Sequence, residues 1–446
     1  MKTILILEDN EERIAAFRKA VAALGREYEV KVWRDAHSMR KECEACFANA
    51  VLISLDHDLN PAPGVSEDPG TGLNVAECLA EYRPVCPVII HSTNSDRSWS
   101  MHNELRFADW PVEKVGPIGS DWIEKLWLPK ARELLARSQN TWVARLPPDH
   151  EVRMQRALLS LDGLSIGDAL GEMFCYRPED ALVRLRQNDL PSGPWFHTDD
   201  TEMAISLVAT LRCHGYVDGD ALSRRFARRF ERDPDRGYGK MTRIQFREIL
   251  AGAKWQSMAA NAFGGQGSMG NGGAMRVAPL GGYYANDLFP LSSEAGASST
   301  VTHTHPEGIA GTTAVAAAAA MSWRLRDLRG PERTQAFFGE VLKMIPESDV
   351  KRKTLLASKM PQTAAAQDVA KAVGCGELVT APDTVPFCIW AAAHHLDDYV
   401  EALAETIRVG GDCDTNAAIV GGIVALSVGR EGIPADWLSA REPLGL

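Results

Sequence analysis

Apolar and polar positions follow two different rules along the chain. Up to about residue 138, short apolar runs alternate with stretches of helical spacing. KTILILEDN, YEVKVWRD, AVLISLDHDL and CPVIIHSTN read as strands, and the first and third end in acids. EERIAAFRKAVAALG, stopping at Gly25, reads as a helix, as do SMRKECEACFAN, GLNVAECLAEY and, after VEKVGPIG, SDWIEKLWLPKARELLAR. Strands alternating with helices predict a parallel sheet covered on both faces. Polar residues gathered at strand C-terminal ends mark the usual ligand edge of such a sheet.

SQNTWVARLPPDH breaks the pattern with polar residues and the pair Pro147–Pro148, which places a linker at 139–150. From Glu151 the alternation nearly vanishes. MQRALLSLDGLSIGDALGEMF, TEMAISLVATLRCHG, ALSRRFARRFERD, HPEGIAGTTAVAAAAAMSWRLRDL and VPFCIWAAAHHLDDYVEALAETIRVG all carry helical spacing. The prediction is an α/β domain over 1–138 and an all-helical domain over 151–446, with no repeat array.

Composition adds little to this picture. Apolar residues make up 45% and charged residues 24%, as in an ordinary globular protein. The formal charge of −11 argues against broad nucleic-acid binding. The opening MKTILILEDNEER lacks the features of a signal peptide, and no apolar run reaches the roughly 20 residues of a membrane span. A cytoplasmic location and no membrane partner are therefore expected. Nine scattered cysteines, with Cys43 and Cys46 on a helix, fit free thiols in a reducing compartment.

Candidate chemistry gathers at four places in the second domain. In FHTDDTEMAISLV, Thr198, Asp199 and Asp200 precede a helix, with Thr201–Met203 as its first turn. In GGDCDTNAAIVGG, Asp412, Asp414 and Thr415 do the same, the two acids alternating on an extended lead-in. One aspartate suffices for a helix cap. Two pairs of acids with hydroxyls suit a hard divalent cation, Mg2+ or Mn2+, better than zinc. GGQGSMGNGGAMRVAPLG offers either a flexible loop or glycines that let backbone approach a phosphate. VTHTHPEGIAG places His303 and His305 before a helix, as ligands, proton carriers or structural groups. The basic run Arg224–Arg247 reads as a solvated face with acidic partners in preference to a phosphate-recognising surface near the cleft.

GLSIGDALGEMF, HTDDTEMA, GNGGAMRVAPLG, HTHPEGIAG and GGDCDTNAAIVGG, in this order over 151–446, resemble the motif series of the ADP-ribosylglycohydrolase family. The resemblance implies two Mg2+, or Mn2+, in a cleft and cleavage of the bond between ADP-ribose and an acceptor: protein, nucleic acid or small molecule. It implies one metal on Thr198, Asp199, Asp200 and Asp414, and the other on Asp412, Asp414 and Thr415. Asn271, flanked by Gly270 and Gly272, would face the diphosphate and ribose. His303 or, preferably, His305 would touch substrate. Asp168 lies near the cleft as a supporting group. Asp199 and Asp200 are the catalytic candidates. Glu172 stands adjacent to, but displaced from, the position of a glutamate that many members use.

The first domain resembles a receiver domain, with Glu8 and Asp9 ending the first strand and Asp56 the third. HDL and HSTN resemble the receiver-like domain proposed to process cyclic phosphates. Its candidate site is Asp9, Asp56, His57, Asp58, His91 and Ser92. The pairing of domains implies ADP-ribose cyclic phosphate as an alternative substrate. A regulatory ADP-ribose-binding protein without turnover is the other alternative.

Overall fold

The computed structural model describes residues 1–61, 68–108, 110–137 and 146–445. They form two compact units, Met1–Leu146 and Pro147–Leu446. Most of the linker placed at 139–150 lies outside the described residues, and His150 already opens a helix.

In the first unit, five parallel strands run β1 (Lys2–Leu7), β2 (Tyr28–Trp33), β3 (Ala50–Leu55), β4 (Val88–Ile90) and β5 (Val112–Lys114). Their order is β2-β1-β3-β4-β5, a doubly wound arrangement. β1 is apolar from Ile4 to Leu7 because both its faces are covered: Leu5 and Leu7 join one core cluster, Ile4 and Ile6 the opposite one. SMRKECEACFAN is not one helix. A helix over Ala36–Glu42 gives way to a 3-10 turn at Glu44–Cys46, and Phe47 then packs edge-on against Tyr82. The Ser95–Phe107 helix carries almost no amphipathic pattern and was not predicted. β5 has three half-buried residues, too few to show a period.

The second unit is helical, and its described residues form only isolated β-bridges. The His150–Phe174 and Cys413–Val428 helices form its spine. Gly163, Gly167 and Gly171 recur every four residues on one face of the first. A Cβ on Gly167 would stand 2.1 Å from the Ala417 carbonyl oxygen, and one on Gly171 2.4 Å from that of Cys413. The two backbones therefore touch directly. VPFCIWAAAHHLDDYVEALAETIRVG is two helices, Ala381–His394 and Tyr399–Arg408. Asp398 restarts the chain as an N-cap, accepting from the Glu401 N–H. Among the described residues no helix is long and apolar enough to cross a membrane, and all nine cysteines are free.

Candidate active site: two acid-bearing helix starts around one cavity

Two helices of the second unit begin with acids that do not cap them. The Asp199–His214 helix has Thr198 as its N-cap. It starts two residues earlier than the spacing predicts, because a carboxylate from another helix holds its first turn. Asp168, fully buried in the His150–Phe174 helix, accepts from the Thr198 N–H (3.0 Å) and hydroxyl (2.9 Å). It also accepts from the Thr201 N–H (3.0 Å) and hydroxyl (2.5 Å). The Thr198 hydroxyl accepts from the Asp200 N–H (3.4 Å) and Asp168 from the Thr198 and Thr201 N–H groups, so the Asp199 and Asp200 carboxylates are left for other work.

The lead-in to Cys413–Val428 is not extended. Gly410 and Gly411, both at positive φ, deliver the chain straight into the helix. A Cβ at Gly411 would meet the Cys375 carbonyl oxygen at 2.0 Å. Asp412 is the N-cap residue but makes no capping bond. Its Oδ2 accepts from Asn271 Nδ2 at 2.6 Å, and Asn271 also donates to Thr384 (3.0 Å). Carboxylate oxygens of Asp168, Asp200 and Asp414 lie within 4.8 Å of one another. The Thr415 hydroxyl faces Asp200 Oδ1 at 3.5 Å.

The charges here are of one sign. Burial, then Asp414, raises the carboxyls of Asp199 and Asp200 well above the ordinary range. The same two causes push Asp412 up to about 7, and burial pushes Asp168 up to about 6. Asp200 Oδ2 is buried with no hydrogen-bond partner. An all-oxygen donor set, an orphaned buried oxygen and mutually repelling acids fit a hard divalent cation. Asp199, Asp200, Asp412, Asp414, Thr198 and Thr415 are the residues that could hold one or two.

The acids line a cavity of about 530 Å³, together with Gly270, Asn271, Gly272 and His303. The second part of the glycine-rich segment is no flexible loop: Gly273–Tyr284 is buried, whereas Gly264, Gly265, Gln266 and Met269 are exposed. Of the two histidines, His303 lines the cavity. Arg276 donates to the Thr302 hydroxyl (3.0 Å), and that hydroxyl lies 2.7 Å from His303 Nδ1. Thr302 and His303 Nδ1 thus share a hydrogen bond, and Nε2 is turned toward Gly270 and Gly272. Burial, then the Arg276 charge, lowers His303 to about 3, so it is neutral. His305, the preferred candidate, instead caps the Pro306–Arg324 helix, its Nδ1 accepting from the Glu307 N–H at 3.1 Å. Glu172 is exposed and does not line the cavity; burial of its carboxyl, then Asp414, raises its pKa.

Two residues went unnoticed in the sequence, Phe263 and Arg276, and a third, Lys240, belongs to the basic run Arg224–Arg247. Phe263 lines the cavity, exposed and in the left-handed region (φ 51°), a strained conformation for an aromatic. Lys240 supplies a cation to the same wall. Arg276, fully buried, bonds the Gly272 carbonyl (2.8 Å) as well as Thr302. Of the two unnoticed residues only Phe263 left a signal, the FGG triplet that ends its helix.

The sheet edge of the first unit is organised differently. Glu8, Asp56, His57 and His91 are all buried there. Arg13 stands 3.2 Å from Asp56 and 3.7 Å from Glu8, and His91 Nε2 lies 3.4 Å from Glu8. Trp127 donates to Ser54, and Ser54 is 2.8 Å from His91 Nδ1. Asp58 pairs with His57 Nδ1 (2.8 Å), and Asp9 accepts from the Asn60 N–H (2.7 Å). Ser92 accepts from the Asn94 N–H, an ST-type turn. Burial raises Asp56 to about 6.

Comparisons with known proteins agree with both halves. Residues 149–444 match the ADP-ribosylglycohydrolase family, and residues 4–107 match the cyclic-phosphate processing receiver domain. ADP-ribosylhydrolase ARH3 of Bos taurus is 27% identical over 326 residues, covering 63% of this chain and 87% of that protein. An uncharacterized protein of Archaeoglobus fulgidus is 31% identical over 296 residues, covering 62% and 88%. ADP-ribosylarginine hydrolase Tri1 of Serratia proteamaculans is 25% identical over 313 residues, covering 68% and 80%. With four of the five motifs lining one acid-bearing cavity, the fifth bracing it through Asp168, and two thirds of its length matched, the chain belongs to the ADP-ribosylglycohydrolase family and carries a cyclic-phosphate processing receiver domain in its first unit.

Proposed function

We propose that the second unit is a divalent-cation-dependent hydrolase that cleaves the glycosidic bond between ADP-ribose and an acceptor. Water adds to the anomeric carbon and the acceptor leaves with a proton. The observation that carries this reading is the convergence of Asp199, Asp200, Asp412 and Asp414 on one cavity, none of them capping its helix. The relatives named above as ADP-ribosylhydrolases support the substrate class.

Mg2+ or Mn2+ bound there would supply fixed positive charge for ribose hydroxyls and for a water near neutral pH. The chain's own groups do the rest. Asp168 fixes the Thr198–Thr201 turn, so the Asp199 and Asp200 carboxylates meet an oxocarbenium-like ring without reorganising. His303 presents Nε2 beside Gly270 and Gly272, where a Cβ on Gly272 would come within 2.9 Å of that nitrogen. Those glycines keep room for a diphosphate. Phe263 offers an exposed ring face to a purine, and Lys240 a charge to a phosphate.

The test is ADP-ribose release from a panel: Arg-linked and Ser-linked protein, ADP-ribosylated nucleic acid and ADP-ribose cyclic phosphate, each with Mg2+ and with chelator. Metal-dependent release identifies the acceptor class. Binding of ADP-ribose with no release from any substrate would overturn the hydrolase in favour of a regulatory binder.

A second reading concerns the first unit. The match over 4–107 and the unbonded, buried Nε2 atoms of His57 and His91 favour acid–base work on a cyclic phosphate. Opening of ADP-ribose cyclic phosphate that survives Asp412→Ala and is lost on His91→Ala would belong to that unit. No opening by the full chain rejects the reading.

A further inference from the structure

The segment that feeds the Thr198–Asp200 turn is gripped by residues far away in sequence. Trp195 and Arg441 form an isolated parallel bridge, with the Trp195 N–H donating to the Ala440 carbonyl (2.7 Å) and the Glu442 N–H to the Trp195 carbonyl (3.0 Å). Gly193 sits so close that a Cβ there would stand 2.4 Å from the Ala440 carbonyl oxygen. The bridge brings the Glu442 carboxylate against His197, one residue before the metal-type motif. Glu442 is nine-tenths buried. Its Oε1 accepts from the His197 N–H (2.9 Å) and lies 3.0 Å from His197 Nδ1, out of line for a hydrogen bond. Arg236 closes the ring. It forks onto both Glu442 oxygens and donates to the His197 carbonyl (2.8 Å), and its own carbonyl accepts from the Asp199 N–H (2.7 Å). On the other side, His197 Nε2 lies 3.0 Å from Glu202, which Arg229 holds at 2.7 Å.

The geometry points to Glu442 as a positioning residue for the acid-bearing turn, acting through His197 and Arg236. Asp168 fixes the turn from Thr198 and Thr201; the Glu442–Arg236 pair fixes it from His197 and the Asp199 backbone. With one grip released, Asp199 and Asp200 keep their identity but lose the fixed separation from Asp412 and Asp414 that a shared cation requires. Bidentate Arg–carboxylate pairing suits this task because it sets direction as well as distance. Burial of the pair also keeps it from being screened.

This inference rests on the cation site proposed above. The test compares the full chain with Glu442→Gln and Arg236→Gln in two readouts. One is Mn2+ affinity by calorimetry. The other is backbone hydrogen exchange of the metal-free proteins. Both variants are expected to bind Mn2+ at least about tenfold more weakly than the unaltered chain. Exchange should speed up at 197–200 and stay unchanged at 413–420, and Glu442→Asp should recover part of the affinity. Unaltered Mn2+ affinity in both variants, with the unaltered chain binding normally, overturns the positioning role alone. Faster exchange spread over the whole unit also overturns it, since that reports general destabilisation. No Mn2+ binding by the unaltered chain overturns the cation site and this inference with it.

Discussion

The two units each bury a cluster of acids and histidines, and they balance the charge in opposite ways. At the sheet edge of the first unit the acids have internal partners: Arg13 serves Asp56 and Glu8, His91 faces Glu8, and Asn60 serves Asp9. In the cavity of the second unit, Asp199, Asp200, Asp412 and Asp414 face one another, and Asn271 is a neutral donor. Buried like charges without a counter-ion are costly. The first cluster is compensated in part from within, though Glu8 Oε2 and the Nε2 atoms of His57 and His91 have no hydrogen-bond partner and Glu8, Asp56 and His91 lie close enough together to hold a metal ion. The four acids of the second repel one another, and on the proposed function they would recruit their counter-charge from solution, whereas Arg13 supplies a cation within the first.

The largest effect should come from removing a carboxylate of the proposed cation site. Asp414→Ala is expected to lower ADP-ribose release about a thousandfold, about 4 kcal/mol of barrier, in a steady-state assay with saturating Mg2+. Retention of more than a tenth of the rate would move the centre of the site away from this residue. Next is the spine. Gly167→Ala forces a methyl to 2.1 Å from the Ala417 carbonyl oxygen and should destabilise the second unit by about 1–3 kcal/mol or more, seen as a lower denaturant midpoint.

The contrast itself predicts an inversion. In chelator, Asp200→Asn should stabilise the second unit by about 1–3 kcal/mol, because it removes a repelled buried charge; with Mg2+ it should be the less stable protein. A variant less stable under both conditions would show that Asp200 is compensated after all.

The first unit should respond to pH. Asp56 stands at about 6 when folded, above the usual unfolded value near 3.9. A raised acid pKa means the folded state holds the proton longer. This contribution is therefore full below about pH 4 and lost as pH rises through about 6, a change of about 1–3 kcal/mol. Asp56→Asn should flatten the denaturation profile across that window. The smallest effect belongs to His305→Ala, which removes one cap bond worth about 1 kcal/mol and should leave turnover intact, whereas His303→Ala should raise KM.

Much of this was legible in the sequence, for physical reasons. β1 and β3 are long continuous apolar runs because both faces of the sheet are covered, and the acids at their ends stood out. The acid motifs of the second unit were visible because two aspartates exceed what one helix start needs. What stayed hidden depended on distance through space. Nothing local says that Asp168 braces a helix beginning at Asp199, or that His303 rather than His305 faces the cavity. Arg276 makes that choice by reaching Thr302 from 26 residues away. Glu442, 245 residues from His197, was likewise invisible until the chain was folded. Phe263 is hidden for another reason: its exposure and left-handed backbone are conformational facts.

The central claim is that the acid-lined cavity is built around divalent cations. Calorimetric titration of Mn2+ into the metal-free chain, beside Asp414→Ala, tests it most directly. Saturable binding of two ions per chain, weakened in Asp414→Ala, is the predicted result. Absence of saturable binding, or an Asp414→Ala isotherm that overlays the unaltered one, would contradict it.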